Sequence, residues 1–574
     1  MVAIENQPNI SASTEREMDS ALNILIAHKD EWARTDVKTR IELITDVMNR
    51  MEKVADDWVA SSWEAKHLTE DDPTSAEDWA FVTVIFRQLR ALMVTLTEIH
   101  EDGAPDLRNP LYTRHDGRVI CDVFPKFTKD KLFYTSLKGT IWFKKGLHET
   151  QIREAMARPY QNLNENTGTV TLVLGAGNVS ALVPGDFLHK IFVENHVVML
   201  KMNPVNDYLG KWIQRAFAPL IQRGCLQIAY GGVHEGQYLV HHDLVDELHI
   251  TGSDATHDAI VFGTGAEGER RKAERNPQVT KRFTSELGNI SPMIIVPTGW
   301  DESDTIMQAK NLAGRLVANA GFNCLTPRVV ITMRGWEHRD LFNQTVLDTL
   351  TGIPTRYAYY PNADKRHAMF IEAHPDAHQI GEPKAGHLPW TYITDVDASD
   401  TDNIAFTTEA FCGLCAETAI DGENVADYLA SAVTFVNEVL WGTLVGSLYV
   451  HPKAMDDTAV ADAVNHAVED MRYGTVAINA FGEVAYATAS TPWGGVAGQD
   501  IYDVQSGIGF VNNTTMFDEA HIEKTVIQQS FGAPINRVDP ANNIMSAAIE
   551  SVARFEAKPN LQRGLNIVWS IITG

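Results

Sequence analysis

Residues 169–178, TVTLVLGAGN, constrain the fold more than any other part of the chain. They form a short β-branched and apolar run that ends in glycines. A strand apolar on both sides must be covered on both faces, as in a parallel sheet flanked by helices, and the glycines mark its entry into a turn. The next hundred residues repeat this pattern. Residues 185–194 read as helix, HVVMLK as strand and 207–223 as helix, while CLQIAY, ELHITG and DAIVFG read as further strands. Strands alternating with helices mean βαβ units and a mostly parallel sheet. A second α/β stretch begins near Pro292 and runs through PMIIV, a helix over 305–320 and RVVITM to GTVAIN near residue 475.

The remainder frames these two stretches. Residues 15–51 carry apolar side chains at three- and four-residue spacing, and 80–99 (AFVTVIFRQLRALMVTLTEI) predict a long apolar helix. From 119 to 142 the pattern shortens into strands. The segment after Gln529 shows no chemistry of its own and is expected to wrap the surface or an oligomer interface.

A length of 574 residues with 44% hydrophobic content can bury several cores without disulfide or metal staples. The formal net charge of −27 disfavours nucleic acid and anionic membrane surfaces, which are held through Lys and Arg. Five cysteines are too few for a disulfide framework and fit a reducing compartment. The first residues have no basic start followed by an apolar core, and no window of about 18 residues is uninterruptedly apolar. A cytoplasmic protein without a membrane span is expected.

Two glycine-rich loops invite a dinucleotide. Gly175-Ala-Gly177-Asn follows a strong strand, and Gly263-Thr-Gly265-Ala-Glu-Gly268 matches G-x-G-x-x-G in full. That spacing is diagnostic only between a strand and a helix, so a surface turn is the competing account of the second loop. The charged run ERRKAER after it reads as a solvated helix or a loop. Cys324 stands in AGFNCLTPR, between a small-residue loop and a strand, where catalytic groups are displayed; most free cysteines simply pack as small hydrophobes. Cys121 and Cys225 fit that plainer role. Cys412 and Cys415 form C-x-x-C with no second pair to complete a zinc site, and the histidines around His241 show no metal spacing. No metal site is expected. Glu286, in SELGNISPMIIV, is placed to project into a cleft or to stand solvated.

Together these segments resemble the aldehyde dehydrogenase superfamily. SELGNISPMIIV resembles its glutamate motif, and AGFNCLTPRVVI its cysteine loop, with an arginine retained four positions after the cysteine. The separation of 38 positions from Glu286 to Cys324 is close to that of the family. VVMLKMNP, ELHITGSDATHDAI, TTEAFCGLCAETAI and GTVAINAF with TPWGGVAGQDIYDVQSGIG resemble four further signatures, in the family order, over roughly residues 170–515. The resemblance implies two Rossmann-like parallel-sheet domains with the active site in the cleft between them. It divides the chain into a helical region with a cofactor-binding domain (1–291), a catalytic cysteine domain (292–515) and a C-terminal segment (516–574). It implies Cys324 as nucleophile, Glu286 as general base, and Asn178 beside the Cys324 N–H as oxyanion donor. Such donors are typically worth about 3–4 kcal/mol each. It implies Lys201 at the adenosine ribose, Gly252 and Ser253 near the pyrophosphate, and Glu409 with Phe411 at the nicotinamide, hence NAD or NADP. A thiolate nucleophile calls for a polar, partly electropositive pocket.

Some positions depart from the family pattern. Pro204 stands where the family has an acidic residue, so NADP stays open beside NAD, and His257 stands for a usual glycine. Asn289 and Ile290 replace a glycine and a lysine, and the 34 residues from Gly252 to Glu286 are more than usual. The expected function is oxidation of an aldehyde to its acid by a homodimer or homotetramer. The alternatives are a coenzyme A-acylating aldehyde dehydrogenase or fatty acyl-CoA reductase, against which Glu286 argues, and a non-catalytic scaffold of the same fold.

Overall fold

Side-chain caps set where the first helices begin. The computed structural model describes residues 10–134, 136–532 and 544–573. Thr14 and Glu17 close a capping box on α1 (Glu15–Ala33), and Asp36 accepts from the Thr39 amide at 2.9 Å to start α2 (Val37–Ala65). These caps satisfy backbone donors that a helix start leaves unpaired. The helix expected over 80–99 is α3 (Ala76–Asp102), which ends on Gly103 in the left-handed region. It is long and apolar enough to cross a membrane, yet most of it is buried inside the protein.

Strands β1 (Leu111–Thr113), β2 (Val119–Phe124) and β3 (Lys138–Phe143) form an antiparallel arm. Next come β4 (Val170–Leu174), β5 (Val197–Lys201), β6 (Leu226–Ala229), β7 (Glu247–Thr251) and β8 (Arg282–Glu286). They lie parallel in the order β8-β7-β4-β5-β6. Helix α1 packs on β4, β5 and β6, and the helix Leu182–Leu188 packs on β7. The strand order turns back between β4 and β7, so the loops at their carboxyl ends diverge around a crevice, where open α/β sheets bind ligands.

The larger sheet holds β9 (Ser291–Ile295), β10 (Pro327–Met333), β11 (His378–Ile380), β12 (Trp390–Val396), β13 (Leu414–Ile420), β14 (Val445–Tyr449) and β15 (Thr475–Ile478). β16 (Gly507–Ile508) pairs antiparallel with β8 of the smaller sheet, and β17 (Ile522–Gln528) returns to the larger one. Seven strands run parallel in the order β17-β15-β14-β9-β10-β13-β12. The arm joins one edge through β3 on β17, and β11 closes the other, both antiparallel. Residues 287–290 lead straight from the carboxyl end of β8 to the amino end of β9. The carboxyl edge of one sheet therefore faces the amino edge of the other across a cleft.

Several local expectations change. DAIVFG belongs to the helix Asp254–Val261 and not to a strand, because the Ser253 hydroxyl caps that helix by accepting from the Thr256 amide at 3.2 Å. Gly263 consequently lies just past that helix, while Gly265 and Gly268 lie in the next one, so the segment lacks the strand a dinucleotide fingerprint requires. The charged run is the exposed helix Gly265–Ala273, laced by Glu267 with Arg270 and Arg271. The helix expected over 207–223 is broken at Phe217, ahead of Pro219. Beyond the larger sheet, helix Ile544–Ala557 packs on α3 and on the last helix, Leu561–Thr573.

Candidate active site

The loop that carries Cys324 is held in a conformation few residues adopt. Asn319 and Ala320 have φ of 49° and 56°, and Gly321 follows at 78°. A Cβ at Gly321 would run into the backbone of Cys412 and Gly413. Arg328, buried at the start of β10, ties the same segments together. It donates to the carbonyls of Gly321 at 2.6 Å, Asn323 at 3.2 Å and Leu414 at 3.2 Å, and also to that of Cys412. Left-handed residues outside glycine are costly and persist where surrounding contacts over-determine them. These contacts fix the turn, and Ser291 donates to the Cys324 carbonyl at 3.3 Å.

Glu286 closes β8 from the opposite sheet. Its side chain is 3% exposed and stands against the Cys324 thiol and the Trp493 indole, and its Oε1 has no hydrogen-bond partner among the described residues. Burial, reinforced by the nearby Asp186 carboxylate, pushes the Glu286 carboxyl up to about 8. Burial first, then the Glu286 and Glu409 carboxyls, push the Cys324 thiol well above its ordinary value. The electropositive pocket expected around the cysteine is therefore absent among the described residues. Its nearest charged neighbours are acids, so the resting pair is a thiol beside a carboxyl. The other four cysteines are buried, and Cys121, Cys225 and Cys415 are pushed up to about 12 by burial.

Asn178 follows β4 and lines the same cavity as Cys324. Its side-chain amide donates to the Phe322 carbonyl at 3.0 Å, and its own carbonyl accepts from Tyr359 at 2.8 Å and Asn319 at 3.1 Å. The structure thus brings Asn178, Glu286 and Cys324 together. Lys201 ends β5 at 8% exposure, and burial holds its ammonium down to about 8, with Glu235 and Asp207 as its nearest charges. Among the described residues no carboxylate lies within ion-pair reach of it. Gly252 and Ser253 follow β7, so they flank the crevice on the other side, and the Gly252 amide donates to the Glu286 carbonyl at 3.0 Å. Glu409 precedes β13 and packs on Gly288, where any Cβ would collide with its carboxylate. Its Oε1 is likewise without a partner among the described residues, and burial raises the group to about 7 against the pull of Arg328. Phe411, at φ 43°, sets its ring 4.9 Å from Tyr360 and 6.1 Å from Phe322.

Sequence reasoning missed Trp493, Tyr486 and Asp186. Trp493 sits inside the TPWGG segment, whose resemblance pointed to the family but not to a contact with Glu286. His257 is fully buried and stacks near Phe283 at 4.9 Å, so it fills the space left by the usual glycine as a core residue. Two groups, His189 with Glu194 and Glu519, and Glu194 with His196 and Glu247, bring ligand atoms together. Lys190 and Arg282 already ion-pair with their shared Glu194.

Cys324, Asn178, Trp493 and Leu325 line a cavity of about 1150 Å³. Residues of helix α3 and of the helix Ile544–Ala557 also line it.

No family model matches the sequence. An aldehyde dehydrogenase of a Fusarium species is 28% identical over 193 residues, 32% of this chain and 36% of that relative. The chain spans about a third of the length of the curated relatives it matches. Solved structures match nearly throughout. Glyceraldehyde-3-phosphate dehydrogenase of Methanocaldococcus jannaschii, complexed with NADP, is 14% identical, with 90% of this chain and 95% of that one covered at a TM-score of 0.58. An aldehyde dehydrogenase of Pseudomonas syringae, a mutant complexed with NAD+ and octanal, is 14% identical, covering 91% and 90% at a TM-score of 0.61. The chain has the aldehyde dehydrogenase fold.

Proposed function

We propose that the protein oxidises an aldehyde to the carboxylic acid with NAD or NADP, through a thioester on Cys324. The observation that carries this is the buried pairing of the Cys324 thiol with the Glu286 carboxyl beside Asn178. A bound nicotinamide dinucleotide would supply the hydride acceptor. The residues present fit one. Glu409 keeps an orphan oxygen above Gly288, and no carboxylate among the described residues pairs with the buried Lys201, so each is suited to hold ribose hydroxyls.

Glu286, in its carboxylate form, takes the thiol proton as the sulfur attacks the carbonyl carbon. The carbonyl π pair moves onto oxygen. The Cys324 amide and the second N–H of the Asn178 side chain hold that oxyanion; the first N–H stays on Phe322 and keeps the group aimed. Loss of hydride from carbon restores the carbonyl as a thioester. Glu286 gives the thiol proton up to solvent, and its carboxylate then takes a proton from water as the water oxygen attacks the thioester carbon. The sulfur leaves, the carboxylic acid is released, and the Glu286 proton passes to the sulfur to regenerate the thiol.

Purified protein with an aldehyde panel and either nucleotide tests this by the absorbance of reduced nicotinamide. The Cys324→Ser variant is expected to lose turnover by on the order of 10³-fold or more while nucleotide binding, read by fluorescence, is nearly intact. Full turnover by that variant overturns the covalent route. Turnover that requires coenzyme A moves the assignment to an acylating dehydrogenase.

A further inference from the structure

From the cavity we infer that the substrate is a long, unbranched aliphatic aldehyde, whose tail lies between α3 and the helix Ile544–Ala557. The inference rests on the aldehyde chemistry proposed for Cys324. It adds a substrate class and gives the C-terminal segment a role in binding.

Three observations support it. The cavity, at about 1150 Å³, exceeds the roughly 300–1,000 Å³ usual for sites that take small ligands. Cys324 lines it together with Phe81 and Val84 of α3 and Ile549, Val552 and Phe555 of the C-terminal helix, so the wall that these two helices form is largely apolar. Three arginines on its lining are already matched in pairs, while Lys310, Asp72 and Asp348 on the same lining form no ion pair among the described residues. Arg356 binds Glu77 at 2.8 Å, Arg315 pairs with Glu483, and Arg87 binds Glu556 at 2.8 Å. A ligand bearing phosphates or carboxylates along its length would find these guanidinium groups answered, whereas a methylene chain gains from every apolar contact.

The wall formed by the C-terminal helix is also held firmly. Glu556 sits at the end of its helix among Arg87, Arg90 and Lys129, and Arg90 donates to the Glu556 and Ala557 carbonyls. Cations on the last carbonyls of a helix complement its dipole. Burial raises the Glu556 carboxyl, but the three cations outweigh it and hold the group below its usual value. The helix is thereby clamped to α3 as a built wall of the cavity.

The test is a series of straight-chain aldehydes from two to sixteen carbons, assayed with either nucleotide. kcat/KM is expected to rise about threefold per added methylene until the cavity is filled. In Val552→Trp the ratio of kcat/KM for hexadecanal to that for propanal should fall at least about tenfold, with Val552→Ala within a few-fold of wild type. A flat series, or a ratio unmoved by Val552→Trp, overturns the inference and leaves aldehyde oxidation standing. A separate readout needs no turnover: palmitate should slow alkylation of Cys324 by iodoacetamide in the wild type and less so in Val552→Trp. If no aldehyde is oxidised but palmitate still protects, the reaction is wrong and the chain site is right. Absence of protection in a folded wild type counts against the site itself.

Discussion

The cysteine wall of the cavity and the wall between α3 and the C-terminal helix are built in opposite ways. At the cysteine wall every functional atom sits on a short segment whose own residues dictate its geometry. Asn319, Ala320 and Gly321 take left-handed backbone, and Arg328 gathers the carbonyls around them. At the helical wall no residue is special. Phe81, Val84, Ile549 and Val552 are ordinary apolar side chains, brought together by packing of α3 on a helix from the other end of the chain. The clamp that joins them, Arg87 to Glu556, spans 469 residues of sequence. On the proposed reading, chemistry is local and specificity is distributed, so substitutions at the two walls should fail differently: the first in kcat, the second in chain-length preference.

The sharpest break at the cysteine wall is Glu286→Gln. Loss of the base should lower steady-state turnover by about 10²–10⁴-fold. The wild-type pH profile should carry the same signature. The active form of Glu286 is the carboxylate and the group is raised to about 8, so activity should climb through neutrality and level off above that value. At pH 7 only about one molecule in ten would hold the base in its active form. A Glu286→Gln profile that keeps this limb would assign it to another group.

Asn178→Ala comes next. Removing one oxyanion donor typically costs about 10²–10³ in kcat. Because the same amide donates to the Phe322 carbonyl, part of the loss should reflect a looser cysteine loop. Asn178→Asp separates the two effects: it matches the shape but withdraws the donors, and should be no better than alanine. Recovery of activity in the aspartate variant would remove Asn178 from the oxyanion site.

The same contrast explains what could be read from sequence. The parallel strands announced themselves as short apolar runs closed by glycine, because a strand buried on both faces leaves no room for polar residues. Cys324, Glu286 and Asn178 were singled out by the resemblance of the short segments that carry them; read alone, Cys324 fitted a packed hydrophobe and Glu286 a solvated carboxylate equally well. DAIVFG misled because a buried strand and the buried face of a short helix share the same apolar run; the Ser253 cap decided it. The acidic surroundings of Cys324 stayed hidden, since Glu286 and Glu409 reach it from separate strand ends. The role of the C-terminal helix was invisible for the same reason on a larger scale.

The smallest expected effect is the most discriminating. Trp493 presses its indole on Glu286, and that hydrogen bond favours the charged carboxylate, opposing the larger effect of burial. Trp493→Phe keeps the ring and removes the donor. Glu286 should then hold its proton more tightly, and the limb of the pH profile should move to higher pH by about one pH unit or less. The plateau rate above the limb should change little, because the carboxylate formed there is the same base. The chain-length preference should also hold, since phenylalanine still lines the cysteine wall of the cavity. A shift toward lower pH would mean that the indole acts on Glu286 mainly by excluding water. Removing it would then let water in and weaken burial, and the Glu286 base would be tuned by the shape of the cavity and not by a hydrogen bond.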